Sequence, residues 1–339
     1  MSVLKGKKIF IKGIRNIVQA CFLVLTLEIG LQFFIFVLQA SSEGDISVSR
    51  PPGVEAFLPI GALMGWKRFI IEGEWDVTHP AAMVILGFAV FISLFLRKSF
   101  CGWVCPVGTV SEWIWKAGHI IFKKNLRLPV KVDYALRSLK YILLGFFLFI
   151  IFSMSPADID GFLNSPYYKM SDVRMLFFFT RMSTITLLVL IFLVSASLII
   201  KNFWCRYLCP YGGLLGIIAL MSPSKIKRDP GKCINCKRCK EVCPYDLPVD
   251  GKQKIYSPEC NGCMECVNAC PVEDTLHMKS FGRIITPSVM ALTISLIFIV
   301  TILSARITDH WDGNMQEHEF RTRLRSIETS AYTHPGLKK

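Results

Sequence analysis

The chain has 339 residues, of which 52% are hydrophobic and only 19% are charged, and its mean hydropathy is +0.45. A soluble protein of this length needs more polar surface, so the composition excludes an ordinary soluble fold and predicts segments that lie in lipid. The formal net charge of +14 does not indicate nucleic-acid binding, because membrane proteins concentrate Lys and Arg in the loops that stay inside the cell.

Five apolar stretches predict a mainly helical integral membrane protein with about five transmembrane helices. In chain order they cover residues 17–39, 81–96, 141–154, 182–200 and 284–305. A span needs about 20 apolar residues, and the second and third stretches are shorter than that. We expect Arg97, Lys98 and Lys140 to complete these two spans by extending their side chains to the lipid headgroups. The alternative for both stretches is a buried helix of a soluble core.

The basic residues predict the orientation of the spans, because cytoplasmic loops carry an excess of Lys and Arg. The N-terminal segment and the loops 97–140 and 201–283 together carry 27 basic residues, whereas the loops 40–80 and 155–181 carry six. The basic residues of the N-terminal segment are Lys5, Lys7, Lys8, Lys12 and Arg15. We therefore expect the N-terminus and both basic loops in the cytoplasm and, after five spans, the tail on the opposite side.

The basic and aromatic stretch 111–131 is predicted to contact membrane lipid. Trp113 and Trp115 suit the headgroup level, and Lys123 and Lys124 suit anionic lipid. Nucleic-acid binding is the alternative for such a patch, but no recognisable binding module accompanies it.

Two C-x3-C-P motifs form a pseudo-repeat, RKSFCGWVCPVG in the first half and IKNFWCRYLCPYG in the second. Each follows the predicted cytoplasmic end of a span, which indicates two parallel repeats. A single motif is equally compatible with two buried thiols. Its repetition at one membrane depth favours a third redox or metal site, with a metal or dithiol chemistry. The candidate ligands are Cys101, Cys105, Cys205 and Cys209.

Two longer cysteine runs carry the strongest signal in the chain. They read CINCKRCKEVCP and CNGCMECVNACP, each with the C-x2-C-x2-C-x3-C-P spacing of bacterial iron–sulfur proteins. Zinc is the alternative, but it does not require two consecutive four-cysteine runs. Three thiolates of a run hold one [4Fe-4S] cluster, and the fourth reaches the other cluster. The first ligand set is Cys233, Cys236, Cys239 and Cys270. The second set is Cys260, Cys263, Cys266 and Cys243.

These segments predict four parts of the chain. Residues 1–224 form a membrane domain with both C-x3-C-P motifs, and residues 225–280 form a ferredoxin domain with two clusters. Residues 281–306 form the last transmembrane helix, and residues 307–339 form the extracytoplasmic tail.

The order of spans, two C-x3-C-P motifs and a C-terminal pair of ferredoxin motifs resembles the NapH/NosR-type membrane-bound polyferredoxins. The resemblance covers residues 15–306 and is closest to the NapH-like branch. It implies a multi-pass protein of the prokaryotic cytoplasmic (inner) membrane that passes electrons from the quinone pool toward a periplasmic partner. The implied partners are a multihaem cytochrome or a second iron–sulfur subunit, and quinone is a further possible cofactor.

The leading functional hypothesis is an electron-transfer subunit of an oxidoreductase complex, with quinol dehydrogenase as one form of it. No P-loop, dinucleotide-binding motif or catalytic triad signature accompanies the cysteines. The alternative hypothesis is a redox-sensing or maturation factor that uses the same clusters to serve a respiratory enzyme. The direction of electron flow does not follow from the sequence, because cluster potentials span roughly −700 to +450 mV with environment.

Overall fold

The computed structural model describes residues 2–334, and it describes side chains from Gly13 onward. The side chains of Lys5, Lys7, Lys8 and Lys12, which support the predicted orientation, lie outside the described residues, as do residues 335–339 at the end of the tail.

The described chain is mainly helical. In chain order, its helices are α1 (Ser2–Ser41), α2 (Pro59–Glu72), α3 (Pro80–Leu96), α4 (Pro106–Phe122), α5 (Val130–Ser153), α6 (Pro156–Leu163), α7 (Pro166–Lys169), α8 (Ser171–Thr180), α9 (Thr184–Ile199), α10 (Pro210–Ile218), α11 (Arg238–Glu241), α12 (Glu265–Asn268), α13 (Pro287–Ile307) and α14 (Glu317–Arg325). Many of them begin at a proline, whose fixed backbone angle and missing N–H suit the first turn of a helix.

Three of these helices are long and apolar enough to cross a membrane. They are Gly13–Ser41 of α1, α5 and α13. Helices α8 and α9 meet this criterion only as a pair, bent by 76°, and α3 is a shorter apolar helix. The predicted class, a mainly helical membrane protein, is confirmed, whereas the count of five spans stays a prediction.

A small antiparallel sheet lies in the segment predicted to be the ferredoxin domain. Strands β1 (Lys225–Arg228), β2 (Leu276–Ser280) and β3 (Arg283–Ile285) follow one another in this order across the sheet. Ile226 of β1 pairs with Met278 of β2, and both side chains are buried. The sheet therefore joins the two ends of the segment that holds the eight ferredoxin cysteines.

The chain divides into two compact units. The first comprises Met1–Leu23, Ala89–Gly145 and Val189–Ile297, and it holds all twelve grouped cysteines. The second comprises Val24–Phe88, Phe146–Leu188 and Phe298–Lys339.

The second unit has its own apolar core and a buried cluster of charged side chains. In the core, Phe36 of α1 packs against Phe320 of α14, with ring centroids 4.8 Å apart. In the charged cluster, the guanidinium of Arg50 contacts both Glu55 at 3.0 Å and Asp172 at 2.9 Å. Ion pairs as well as apolar contacts therefore hold the segment around Arg50 and Glu55 against helix α8.

Candidate metal centres

The first ferredoxin ligand set lies around one cavity. Its lining includes all four predicted cysteines, Cys233, Cys236, Cys239 and Cys270. Three of these thiols come from the first run and the fourth from the second run. Cys236 is exposed and the other three are partly exposed, so this cavity lies close to the surface of the unit.

The second ligand set lies around a separate cavity. Its lining includes Cys260, Cys263 and Cys266 from the second run and Cys243 from the first. Cys243, Cys263 and Cys266 are buried, and burial raises the pKa of Cys243 to about 11. A free thiol here would stay neutral at physiological pH, so ligation would require a metal to remove its proton.

The backbones of the two runs have the same turn pattern. Asn235 and Gly262, which hold equivalent positions between the first two cysteines, both have positive φ, 53° and 63°. Lys237 and Met264 are also equivalent and have φ of 59° and 60°. Each run then enters a short helix, α11 or α12. The common spacing therefore produces the same loop twice, as expected for two similar sites.

Each C-x3-C-P motif forms one π-helical turn followed at once by a helix that begins at the proline. The turns are Phe100–Val104 and Trp204–Leu208. The N–H of the second cysteine makes the hydrogen bond that completes each turn. Cys105 donates to the carbonyl of Phe100, and Cys209 donates to the carbonyl of Trp204. Such turns are rare, and they occur frequently at functional sites.

The four thiols of these motifs converge on one place in the first unit. Burial raises the pKa of Cys101 to about 12 and that of Cys105 to about 11, and the neighbouring Cys209 adds to both shifts. Burial also raises the pKa of Cys205, with further contributions from the other three thiols. The two motifs, more than 90 residues apart in the chain, therefore form one group of four thiols.

The lysines and the arginine expected at the headgroups are instead fully buried. Arg97, Lys98 and Lys140 have relative exposures of 0%, 1% and 0%, so the prediction that they extend into the headgroups is wrong. Arg97 donates to the carbonyls of Ala219 and Ser257, and its backbone geometry turns the chain between α3 and the first π turn. These three side chains therefore lie inside the protein rather than at the membrane surface.

Lys98 and Lys140 differ in their partners. Lys140 forms an ion pair of 2.5 Å with Glu259, which also accepts a hydrogen bond from the hydroxyl of Tyr141. The ammonium of Lys98 has no hydrogen-bond partner among the described residues and lies 5.7 Å from the centre of the Tyr245 ring. Glu259 directly precedes the second cysteine run, so this network connects α5 with that run.

Arg15 joins three elements around the sites, whereas the sequence identifies it only as one of the basic residues of the N-terminal segment. It is buried, forms ion pairs with Glu112 of α4 and Glu265 of α12, and donates to the carbonyl of Gly102 in the first π turn. Burial alone would raise the pKa of Glu112, but the Arg15 charge and hydrogen bond lower it to about 2. No local pattern in the sequence identifies a partner that is 97 residues away.

A direct hydrogen bond connects the C-x3-C-P group with the second ferredoxin set. The indole N–H of the fully buried Trp103 donates to the carbonyl of Gly262 at 3.1 Å. Gly102 leaves no room for a side chain, because an added Cβ would lie 2.7 Å from the carbonyl oxygen of Asn261. The π turn and the second cysteine run are therefore packed backbone against backbone.

Among residues 2–334, no group of three or more His, Cys, Asp or Glu side chains is close enough to hold a single metal ion. These residues instead show three groups of four thiols. Two groups line cavities, and the third consists of the interacting thiols of the two C-x3-C-P motifs.

Comparisons with known proteins match the segments of the chain that contain these cysteines. A family model described as a 4Fe-4S binding domain matches residues 78–129 and 182–229, which contain the two C-x3-C-P motifs. A model described as a 4Fe-4S dicluster domain matches residues 225–271, which contain both ferredoxin runs. No solved structure matches the chain.

Three relatives illustrate the similarity. YccM of Escherichia coli, named for electron transport, is 43% identical over 77% of this chain and 74% of its own length. Protein MJ0749 of Methanocaldococcus jannaschii is 30% identical over 64% of this chain and 77% of its own length. The ferredoxin-type protein NapH of Haemophilus influenzae is 31% identical over 56% of this chain and 67% of its own length.

Apolar helices combined with 4Fe-4S binding domains define a membrane-associated iron–sulfur protein of electron transfer. The chain belongs to the NapH/NosR-type membrane-bound polyferredoxins, since its similarity to YccM and NapH extends over most of those proteins. The predictions of family, fold class and electron-transfer function are confirmed.

Proposed function

We propose that this chain passes electrons between the quinone pool or a cytoplasmic donor and a redox partner across the inner membrane. Two [4Fe-4S] clusters in the ferredoxin segment and a third redox centre at the C-x3-C-P cysteines would form the route. The observation that carries this proposal is the hydrogen bond from Trp103 to Gly262. Trp103 lies between Cys101 and Cys105, and Gly262 directly precedes Cys263. The bond therefore connects the C-x3-C-P thiols with the second ferredoxin set, and each of its two residues is next to or two residues from a cysteine.

The residues present fit two cubane clusters with exchanged fourth ligands. Each cavity is lined by four thiols, which is a complete ligand set for one cluster. Buried apolar side chains such as Tyr245, Leu247 and Met264 line or adjoin the second cavity and exclude water from it. When bound, such clusters supply one-electron carriers whose potentials depend on local charge, hydrogen bonds and exposure. The more exposed first cavity is the better place for exchange with a soluble partner.

The exchanged ligands are tested by a matched pair of variants, Cys243→Ser and Cys270→Ser, in the anaerobically purified full chain. We expect Cys243→Ser to alter the electron paramagnetic resonance signal of the cluster held by Cys260, Cys263 and Cys266, and Cys270→Ser to alter the other signal. Iron and sulfide analysis of the wild type should give at least about eight of each, as two cubane clusters require. The exchange is wrong if each serine variant damages only the cluster of its own run.

The third centre is tested by electron flow from quinol in membrane vesicles. We expect Cys105→Ser and Cys209→Ser each to abolish quinol-dependent reduction of an added acceptor, while both ferredoxin signals persist. Cys21→Ser is the control, because Cys21 is an exposed thiol of α1 and belongs to none of the groups. Normal electron transfer in both test variants would make the four thiols structural.

A further inference from the structure

Lys98 is a buried cation near the C-x3-C-P thiols, and it forms no hydrogen bond with the residues that the structure describes. Its side chain has a relative exposure of 1%, and its ammonium has no hydrogen-bond partner among the described residues. Burying an ammonium group away from water is costly unless an opposite charge or several acceptors compensate it. The site therefore requires negative charge beyond what the surrounding side chains supply.

The nearby charged side chains do not supply that compensation. Glu259 is the carboxylate that acts most strongly on both Lys98 and Lys140. It is already bound to Lys140 and to the hydroxyl of Tyr141. One positive charge remains in surplus. Besides Glu259, the thiols of Cys101, Cys205 and Cys209 interact electrostatically with Lys98.

The geometry places the ammonium of Lys98 near the thiol of Cys209, one of the four C-x3-C-P cysteines. A Cβ added at Gly212 would lie 3.4 Å from the Nζ atom of Lys98 and 3.6 Å from the Sγ atom of Cys209, so both atoms flank one small space that glycine leaves open. Lys98 belongs to the first motif and Cys209 to the second. When the motifs are aligned on their cysteines, the position of Lys98 is occupied by Asn202 in the second copy, so the pseudo-repeat supplies this charge only once.

We propose that the ammonium of Lys98 is the fixed positive charge that compensates an anionic iron–sulfur centre held by the four C-x3-C-P cysteines. This inference rests on the proposed third centre and names its chemical class. Four neutral thiols, or two disulfides, would leave Lys98 uncompensated. Zinc bound by four thiolates would be anionic but has no redox chemistry, so it would not serve an electron carrier.

The proposal predicts a specific role for Lys98 in the reduction of the centre. Reduction adds one electron, supplied by a quinol or by a neighbouring cluster, and makes the centre more negative. A fixed positive charge stabilises the reduced form and raises the reduction potential, since net charge is one of the determinants of cluster potential. Lys98 thus acts on the centre through its charge alone, and it forms no bond to iron.

The test is a redox titration of the full chain, monitored by electron paramagnetic resonance, for the wild type, Lys98→Met and Lys98→Arg. We expect the third centre of Lys98→Met to titrate at a more negative potential or to be lost, with the two ferredoxin centres unchanged. Lys98→Arg keeps the charge and should retain the centre near its original potential. Lys131→Met is the control, because Lys131 is exposed and solvent screens its charge.

Two results would overturn the inference. One is an unchanged potential of the third centre in Lys98→Met, and the other is loss of the centre in both Lys98→Met and Lys98→Arg, which would assign the effect to shape rather than charge. Iron analysis of Cys105→Ser tests separately whether the third centre exists, so that an error about Lys98 can be told from an error about the centre. With three cubane clusters the wild type binds about twelve iron atoms, and an undiminished iron content in Cys105→Ser would refute the third centre.

Discussion

Arg15 shows how one buried charge can hold three segments around the candidate sites. Its guanidinium contacts the carboxylates of Glu112 and Glu265 and the carbonyl of Gly102. Burying these charges is costly, and it is tolerated because each group has a partner of opposite charge or a hydrogen-bond acceptor. Removal of one partner therefore costs much more than the net contribution of the pair.

The first residue-scale prediction concerns Glu112→Gln. We expect a loss of about 3–5 kcal/mol in the free energy of unfolding near neutral pH, because the change leaves a buried charge of Arg15 incompletely paired. The pKa of Glu112 is lowered from 4.5 to about 2. The stability that ionised Glu112 contributes is therefore fully present above pH 4.5 and is lost as the pH falls toward 2. Denaturant titrations of both proteins, followed by tryptophan fluorescence, should converge over that interval. A difference that persists unchanged at pH 2 would contradict the assignment.

The second residue-scale prediction concerns His79, which is buried in the charged cluster of the second unit. Burial alone lowers its pKa, but Glu55, 3.2 Å from its Nδ1 atom, and Asp172 raise the pKa above the ordinary value, against the opposing charge of Arg50. A raised pKa stabilises the fold below about pH 6.5, and this contribution is lost as the pH rises through the folded-state pKa.

We expect the stability advantage of the wild type over His79→Gln to be largest below about pH 6.5 and to shrink above it. Denaturant titrations between pH 5 and 9 measure this advantage. An advantage that grows with rising pH would show that His79 is neutral in the fold.

The grouping of the ferredoxin cysteines around two cavities could be predicted from the sequence, but the charges that surround them could not. Fixed spacing identifies Cys233 and Cys260 as starts of two runs, because cluster ligation requires that local spacing. The burial of Lys98 and Arg15 depends on chain segments far away in the sequence. A lysine at the end of an apolar stretch predicts headgroup contact unless a partner from elsewhere covers it.

At the scale of elements, the first turns of helices α4 and α10, which follow the two π turns, differ in the room they leave for an added side chain. In the first copy, a Cβ added at Gly108 would lie 2.5 Å from the carbonyl oxygen of Cys101, which is rigid backbone. In the second copy, the equivalent Gly212 faces the flexible end of Lys98 at 3.4 Å. The same glycine is therefore obligatory in one copy and less restricted in the other.

We expect Gly108→Ala to open the first turn, to destabilise the protein by about 1–3 kcal/mol and to remove the third centre. Gly212→Ala is the matched variant and should cause a smaller loss of stability, because its Cβ would meet the flexible end of Lys98 rather than backbone. Thermal unfolding in detergent and the spectrum of the third centre are the two measurements. Equal effects of both variants would mean that the two turns are packed alike.

Helix α5 shows why hydropathy alone underestimated the length of a helix. The apolar stretch predicted there covered residues 141–154, whereas the helix begins at Val130. Asp133, Arg137 and Lys140 recur at spacings of four and three residues, so they lie on one face of the helix. Asp133 pairs with Arg137 and Arg206 there, and Lys140 pairs with Glu259. Charges that interrupt an apolar run in sequence are neutralised in the fold.

At the scale of the whole molecule, the orientation in the membrane is the remaining prediction. The N-terminal segment and the loops 97–140 and 201–283 carry 27 basic residues against six in the alternate loops. Retention of basic loops in the cytoplasm would place the ferredoxin segment inside and the tail outside. Eight of these 27 basic residues are buried in the part of the chain whose side chains the structure describes, and the other 19 still outnumber the six of the alternate loops.

A reporter enzyme that is active only outside the cytoplasm tests this orientation. Fused after Lys339 it should be active, and inserted near Gln253, in the ferredoxin segment, it should be inactive. A second reporter that is active only in the cytoplasm should give the opposite pattern at the same two positions, which controls for expression and folding of the fusions. Activity of the first reporter at both positions, or at Gln253 alone, would mean that the number of spans or the basic-residue rule fails here. The ferredoxin clusters would then face the same side as the proposed periplasmic partner, and electrons would not need to cross the membrane through this chain.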